Sequence, residues 1–338
     1  MTTADEALAR FSEPTRAWFA SSFAEPTPAQ AQAWSAISAG KHSLVVAPTG
    51  SGKTLAAFLW ALDRLAAEPP PDDPKQRCRV LYVSPLKALA VDVERNLRAP
   101  LNGIRQAAQR LGQPVPDISV DVRSGDTPAD ERRRFAKTPG DILITTPESL
   151  FLILTSQARE ALAGVQYVIV DEVHAMAGNK RGAHLALTLE RLDALTGHKA
   201  QRIGLSATVR PVDEVATYLG GGADVAVVQP PSNKVLDIKV VVPVEDMQAP
   251  SDHLDEEELS PQERASIWPA VEDRIVDLVE AHRSTIIFTN SRRLAERLTT
   301  RINEIAHDRA VARDEQPHEL ARAHHGSVSR ERRREIEE

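Results

Sequence analysis

Cysteine is nearly missing: Cys78 stands alone in 338 residues. A single thiol rules out an internal disulfide framework and fits a reducing cytosol. An excess of basic charge is missing too. Lys and Arg number 41 against 48 Asp and Glu, a net charge of −7. The bulk charge therefore advertises no nucleic-acid partner, and any such partner has to be met at local sites. Long apolar runs are also absent. Stretches such as Val165–Val170 are far too short to cross a bilayer, which argues against a membrane partner. The opening Met1-Thr-Thr-Ala-Asp-Glu6 has neither a basic segment nor an apolar run behind it, so no secretory signal is read. These absences leave a cytoplasmic, soluble protein as the expectation. The 42% apolar content is enough for a sizeable core, and the length suggests about two domains.

What is present alternates. Short apolar β-rich runs at Ser43–Ala47, Arg79–Ser84, Ile118–Arg123, Asp141–Thr145, Tyr167–Val170 and Arg202–Leu205 read as buried strands. Between them lie helical patterns at Thr54–Ala67, Leu86–Leu111, Asp130–Ala136, Ser149–Ala163 and Gly182–Leu195. This repetition predicts an open, mostly parallel α/β sheet, whose ligands bind outside the carboxyl ends of the strands. The pattern stops at Gly220-Gly-Gly222. A β-rich run, Val235–Val244, follows, and Glu245–Arg264 is acidic, polar and without an apolar period, as in a solvated linker. A helix (Pro269–His282), a buried strand (Thr285–Thr289) and a helix (Arg292–Ile305) then begin a second α/β unit. The expected division is residues 1–228, a connection over 229–268, and an unfinished second domain over 269–338.

The chemistry is concentrated at Ala47-Pro-Thr-Gly-Ser-Gly-Lys-Thr54, between a strand and a helix. Thr49, Gly50, Ser51 and Gly52 form a loop with little side-chain bulk, so backbone N–H groups can point at phosphate oxygens. The helix that follows adds its positive end. Lys53 would reach the β- and γ-phosphates of ATP, and Thr54 would place its hydroxyl on Mg²⁺. The first position is Ala47 where the strict pattern has Gly. An acidic partner stands at the end of the run Tyr167-Val-Ile-Val170: Asp171 is positioned to hold the metal, and Glu172 to orient or deprotonate a water. The bland alternatives are a Gly-rich turn with an incidental Lys, and two carboxylates capping the next helix.

Asp171-Glu-Val-His174 resembles the DExH box of superfamily 2 helicases, and further motifs stand in that family's order. Pro26-Thr-Pro-Ala-Gln30 resembles the Q-motif, which implies that Thr27 and Gln30 serve the nucleotide, Gln30 at the adenine edge with Phe23 near the base. Ser84–Ala90, Arg123–Thr127 and Thr145–Leu150 resemble the nucleic-acid motifs. They imply strand contacts from Pro85, Lys87, Arg123, Gly125, Thr146 and Pro147. Ser206-Ala-Thr208 resembles motif III, where Ser206 and Thr208 would couple the ATP site to the strand groove. Either could equally cap the next helix. His174 would face the γ-phosphate or motif III. Ile286–Arg292 resembles motif IV and adds Thr289 as a strand contact. Lys180-Arg-Gly-Ala-His184 and Thr289–Ala295 are most similar to the Lhr (large helicase-related) group.

The resemblance implies a RecA-like P-loop NTPase sheet followed by an incomplete second RecA-like domain. It also implies ATP and Mg²⁺ as cofactors, single-stranded or partly duplex nucleic acid (DNA or RNA–DNA) as partner, and 3′-to-5′ movement. Helix N-termini near Leu86, Asp126 and Ser149 could hold backbone phosphates without reading sequence. His325-Gly-Ser327 would lie near the strand face of the second domain. No Cys or carboxylate spacing accompanies His324-His325, so no zinc site is read, and Arg330–Arg334 reads as a solvated helical face. No motif supplies the arginine finger. The expectation is a chain that binds Mg-ATP but turns it over slowly, either a fragment whose remaining helicase domains lie in a longer parent or the product of a broken gene. A nucleic-acid-binding module that responds to ATP without turnover is the competing reading. A transport or chaperone ATPase is a third, and the Ser-Ala-Thr and Thr-Thr-Pro-Glu segments argue against it.

Overall fold

The computed structural model describes residues 3–231, 237–244, 266–325 and 336, with the side chains of 3–5, 87, 88, 90 and 91 outside the description. The chain divides into two compact units, Met1–Lys234 and Val235–Glu338.

The first unit is built on seven short strands: β1 (His42–Val46), β2 (Val80–Val83), β3 (Val120–Arg123), β4 (Ile142–Thr145), β5 (Tyr167–Val170), β6 (Gln201–Ser206) and β7 (Val225–Val228). They form one sheet in the order β3-β4-β2-β5-β6-β1-β7, and every neighbouring pair is parallel. Its helices are α1 (Thr3–Leu8), α2 (Glu13–Ser22), α3 (Pro28–Ser38), α4 (Lys53–Ala67), α5 (Lys87–Arg110), α6 (Ala129–Lys137), α7 (Pro147–Leu154), α8 (His174–Ala177), α9 (Lys180–Thr196) and α10 (Val212–Gly220).

Strand side chains alternate between two faces, and both faces are covered, which is why the strands read as continuous apolar runs. Val45, Tyr82, Ile144, Ile169 and Ile203 share one core with Phe19, Trp34, Phe58 and Ile104. Leu44, Leu81, Leu143 and Val168 share the other with Leu150, Leu185, Leu192 and Leu219. The open parallel α/β sheet expected from the sequence is therefore present, with both faces covered. Helices α1 to α3 and strand β7 are additions to the sequence reading. Trp34 is fully buried and donates from its indole N–H to the Ala56 carbonyl at 3.1 Å. Asp63, also fully buried, accepts from the Ser12 backbone (3.0 Å) and hydroxyl (2.6 Å). Both contacts fasten the N-terminal helices to α4, the helix that follows the Gly-rich loop.

Three expectations need correction. The helix expected over Ser149–Ala163 ends at Leu154, and a 3-10 turn covers Gln157–Leu162. Hydroxyls of Thr155 and Ser156 donate to the carbonyls of Phe151 and Ile153, which gives those carbonyls partners outside the helix ladder. Thr285–Thr289 is not a buried strand: it joins no ladder, and Ile286 and Phe288 are 80% and 92% exposed. Residues 237–244 likewise form no strand. An extended segment becomes a strand only beside a neighbour that takes its N–H and C=O groups, and neither segment has one among the described residues. The second unit packs α11 (Trp268–Glu280) on α12 (Arg292–Ala312) through Val276, Leu298 and Ile302. The α12 helix runs seven residues beyond the expected Ile305. Among the described residues no helix is long and apolar enough to cross a membrane. Residues 245–265, Gly326-Ser327 and Arg330–Arg334 lie outside the described residues.

Candidate nucleotide and strand site

Because every strand points the same way, all the strand-end segments emerge on one edge of the sheet. Register orders them. Arg123 is level with Thr145, Thr145 with Val83, Val83 with Val170, Val170 with Gly204, and Val46 with Ser206. The ladder continues one step beyond the strands: Ser84 N–H donates to the Thr145 carbonyl at 2.9 Å, Asp171 N–H to Val83 at 2.9 Å, and Ala47 N–H to Ser206 at 3.1 Å. The edge thus has two halves. Segments after β1, β5 and β6 carry the phosphate-type residues. Segments after β3, β4 and β2 carry the strand-contact candidates. Five strand spacings separate β3 from β1, about 24 Å at roughly 4.8 Å each.

In the loop Ala47–Thr54, Gly50 and Gly52 have φ of 82° and 78°, a region that side-chain-bearing residues avoid. A Cβ on Gly52 would also collide with the Gln30 amide. The loop is gripped from outside by Pro26–Gln30. Thr27 caps α3 in a reciprocal capping box with Gln30. The Thr27 hydroxyl donates to the Ser51 carbonyl at 2.9 Å, and the Gln30 amide to the Gly52 carbonyl at 3.4 Å. Inside the loop, Lys53 Nζ donates to the carbonyls of Ala47 (2.6 Å) and Pro48 (2.9 Å). Burial holds the Lys53 pKa below its ordinary value, with Glu172 and Asp171 opposing. The Ser51 hydroxyl is buried with no partner among the described residues. Thr49 and Gly50 are exposed at the loop tip, and Thr54 is half-buried in the first turn of α4. Phe23 packs against Phe19 and Trp18 and is 43% exposed.

Both oxygens of Asp171 are committed: Oδ1 accepts from the Glu172 N–H at 2.9 Å and Oδ2 from the Tyr82 hydroxyl at 2.6 Å. Burial, then Asp171, pushes the Tyr82 phenol far above its ordinary range, so it stays a donor. Glu172 has φ of 45°, a left-handed conformation that costs on the order of 1–3 kcal/mol and turns the chain sharply from β5 into α8. His174 Nδ1 lies 3.4 Å from Glu172 Oε2 and 3.2 Å from the Ser206 hydroxyl. The Asp-Glu-x-His segment and Ser206 therefore meet through His174. Thr208 is exposed.

On the other half, Thr146 caps α7, Pro147 occupies its first turn, and Pro85 is buried after β2. The Thr145 hydroxyl donates to the Arg123 carbonyl at 2.7 Å. Arg123 is half-buried, and its Nη1 has no hydrogen-bond partner among the described residues. Burial and the nearby Arg132 lower its pKa. Gly125 is exposed and takes an Arg132 guanidinium bond at 2.8 Å on its carbonyl. Lys87 begins α5, with its side chain outside the description. Thr289 belongs to the second unit and donates to the Ser291 carbonyl at 3.1 Å. Two features escaped the sequence reading. Tyr82 looked like an ordinary core residue of its strand. Glu148 and Arg181 form a forked ion pair (Nη2 to Oε2, 2.9 Å) between the first turns of α7 and α9.

The loop and carboxylates can hold a polyphosphate and a divalent cation: N–H groups at a helix N-terminus, a Lys able to trade carbonyls for phosphate, and a hydroxyl and a carboxylate as oxygen ligands. A match to the family model of the DEAD/DEAH box helicases covers residues 27–215, from Thr27 past Ser206. The chain belongs to the DEAD/DEAH box helicase family. It is 58% identical over its whole length to an Lhr helicase of Mycolicibacterium smegmatis and 50% identical over 96% of its length to the Lhr helicase/uracil glycosylase of Escherichia coli. It spans 23% of the length of each. Among solved structures it resembles Mycobacterium smegmatis helicase Lhr bound to ssDNA and AMP-PNP, with a TM-score of 0.81 and 61% identity over 98% of this chain and 40% of that one. The doubly covered sheet of this helicase chain is accordingly RecA-like.

Proposed function

We propose that this chain is the ATP-binding motor portion of an Lhr-type helicase, which moves 3′-to-5′ along a DNA strand or an RNA–DNA hybrid. One observation carries the reading: the parallel register sets the Ala47–Thr54 loop, Asp171-Glu172 and Ser206 side by side on the edge that also bears Arg123, Thr146 and Pro85. The similar Lhr structure, with ssDNA and AMP-PNP bound, supports the assignment of both ligands.

In this reading backbone N–H groups from Thr49 to Thr54 cradle the phosphates, and Lys53 leaves the Ala47 and Pro48 carbonyls for them. Gln30 and Thr27 hold the loop, and Gln30 meets the adenine edge. Thr54 and Asp171 would hold Mg²⁺, which neutralises charge on the β- and γ-oxygens when bound. Glu172 orients the attacking water and takes its proton. His174, between Glu172 and Ser206, reports the state of the carboxylate to Ser206-Ala-Thr208. Pro85, Lys87, Arg123, Gly125, Thr146, Pro147 and Thr289 contact the strand backbone, a contact that fixes position without reading bases.

Two variants test the proposal. Lys53→Ala is expected to lose binding of a fluorescent ATP analogue. Glu172→Gln is expected to keep that binding and to lower whatever hydrolysis the chain has by on the order of 10²–10⁴. Undiminished hydrolysis in Glu172→Gln would overturn the assignment of the base.

A further inference from the structure

Tyr82 has no place in the chemistry described so far, yet it is fully buried and aims its one polar atom at the site. It sits on β2 opposite Ile169 of β5, which brings its hydroxyl to Asp171, two residues on. The hydroxyl donates to Asp171 Oδ2 at 2.6 Å. The ring is itself held: it stacks on Phe58 with centroids 5.0 Å apart and planes 20° from parallel. Phe58 belongs to α4, whose first residues are Lys53 and Thr54. A continuous contact therefore runs from the phosphate-loop helix through two stacked rings to the acidic carboxylate. With Oδ1 fixed by the Glu172 N–H at 2.9 Å, the phenol removes the remaining freedom of the carboxylate to rotate.

We propose that Tyr82 is a positioning residue for the metal: its hydroxyl, braced by Phe58, holds the Asp171 carboxylate in the orientation in which it meets Mg²⁺ on the nucleotide. The inference rests on the assignment of Asp171 made above. Partners of this kind fix a ligand's orientation and set its affinity although they never touch the ion. Nothing else in the strand pattern calls for a phenol here, since Leu81 and Val83 fill their positions with aliphatic side chains. A phenylalanine would fill the same space and stack on Phe58 equally well.

The test uses that difference. A fluorescent non-hydrolysable ATP analogue is titrated onto the full chain in EDTA and then across Mg²⁺ concentrations, for wild type and Tyr82→Phe. The expected result is unchanged binding in EDTA and a Mg²⁺ midpoint raised on the order of tenfold. Phe58→Leu keeps the hydroxyl but removes its brace, and is expected to shift the midpoint in the same direction by less. It carries the test should Tyr82→Phe fail to fold, as judged by circular dichroism. A Mg²⁺ midpoint left unchanged or lowered in the folded variants would overturn the positioning role. Wild-type binding that ignores Mg²⁺ altogether would instead overturn the assignment of Asp171 as the metal carboxylate.

Discussion

At the scale of single residues, the site depends on backbone positions that only particular side chains tolerate. Gly182 shows this away from the phosphate loop. A Cβ there would run into the Met176 carbonyl of α8, and the Gly182 carbonyl accepts the Tyr218 hydroxyl at 2.9 Å. Gly182 thus lets α9 lie close against the short helix that carries His174. Gly182→Ala is expected to cost about 1–3 kcal/mol, the usual range for a forced overpacking, measured as a lowered urea midpoint at unchanged slope. No loss of stability would show that α8 has room to move. Most of the residues proposed for the nucleotide could be singled out in the sequence, because Gly50, Gly52, Lys53, Asp171 and Glu172 occur at spacings that phosphate and metal chemistry calls for. Tyr82 could not. Its neighbours in sequence are all core residues, and the partner that gives it a role, Asp171, lies 89 positions away.

At the scale of elements, the short apolar runs gave away six of the seven strands. They failed where a neighbour decides. Strand β7 exists because β1 offers it an edge, while Thr285–Thr289, with the apolar run Ile286-Ile-Phe288, finds no ladder among the described residues. The forked Glu148–Arg181 pair was invisible for the same reason: two helices 33 residues apart have to be brought together first. It joins the segment Thr146–Ser149 to the helix after His174. Arg181 holds the Glu148 carboxyl below its ordinary pKa, chiefly through the hydrogen bond. A carboxylate depressed in the folded state stabilises above its unfolded value near 4.5, and that stability is lost as pH falls through the folded value. A double-mutant cycle with Glu148→Gln and Arg181→Gln is expected to give a coupling of about 0.2–1 kcal/mol at pH 7, as for exposed pairs. The coupling should vanish below the carboxylate range. A coupling that persisted in acid would show that packing, not charge, joins the two helices.

At the scale of the whole molecule, what matters is that one sheet carries both candidate halves on one edge, adjoining at β2 and β5 and reaching about 24 Å from β3 to β1. Neither half is basic enough to bind nucleic acid through bulk charge, since the chain carries −7. In the proposed function, strand binding comes from aimed groups such as the half-buried Arg123. The physical link between the halves is the ladder itself, from Ala47 through Ser206, Asp171 and Ser84 to Thr145 and Arg123, with His174 bridging Glu172 and Ser206. If a nucleotide in the loop biases that link, strand affinity and nucleotide affinity change by the same factor, since linkage is reciprocal. The decisive measurement is the affinity of the chain for a labelled single-stranded DNA with and without a saturating non-hydrolysable ATP analogue and Mg²⁺. The expected result is a change of roughly 5-fold or more in wild type that disappears in Lys53→Ala. An affinity for the strand that is the same with and without the analogue, in a protein shown to bind both, would contradict the account.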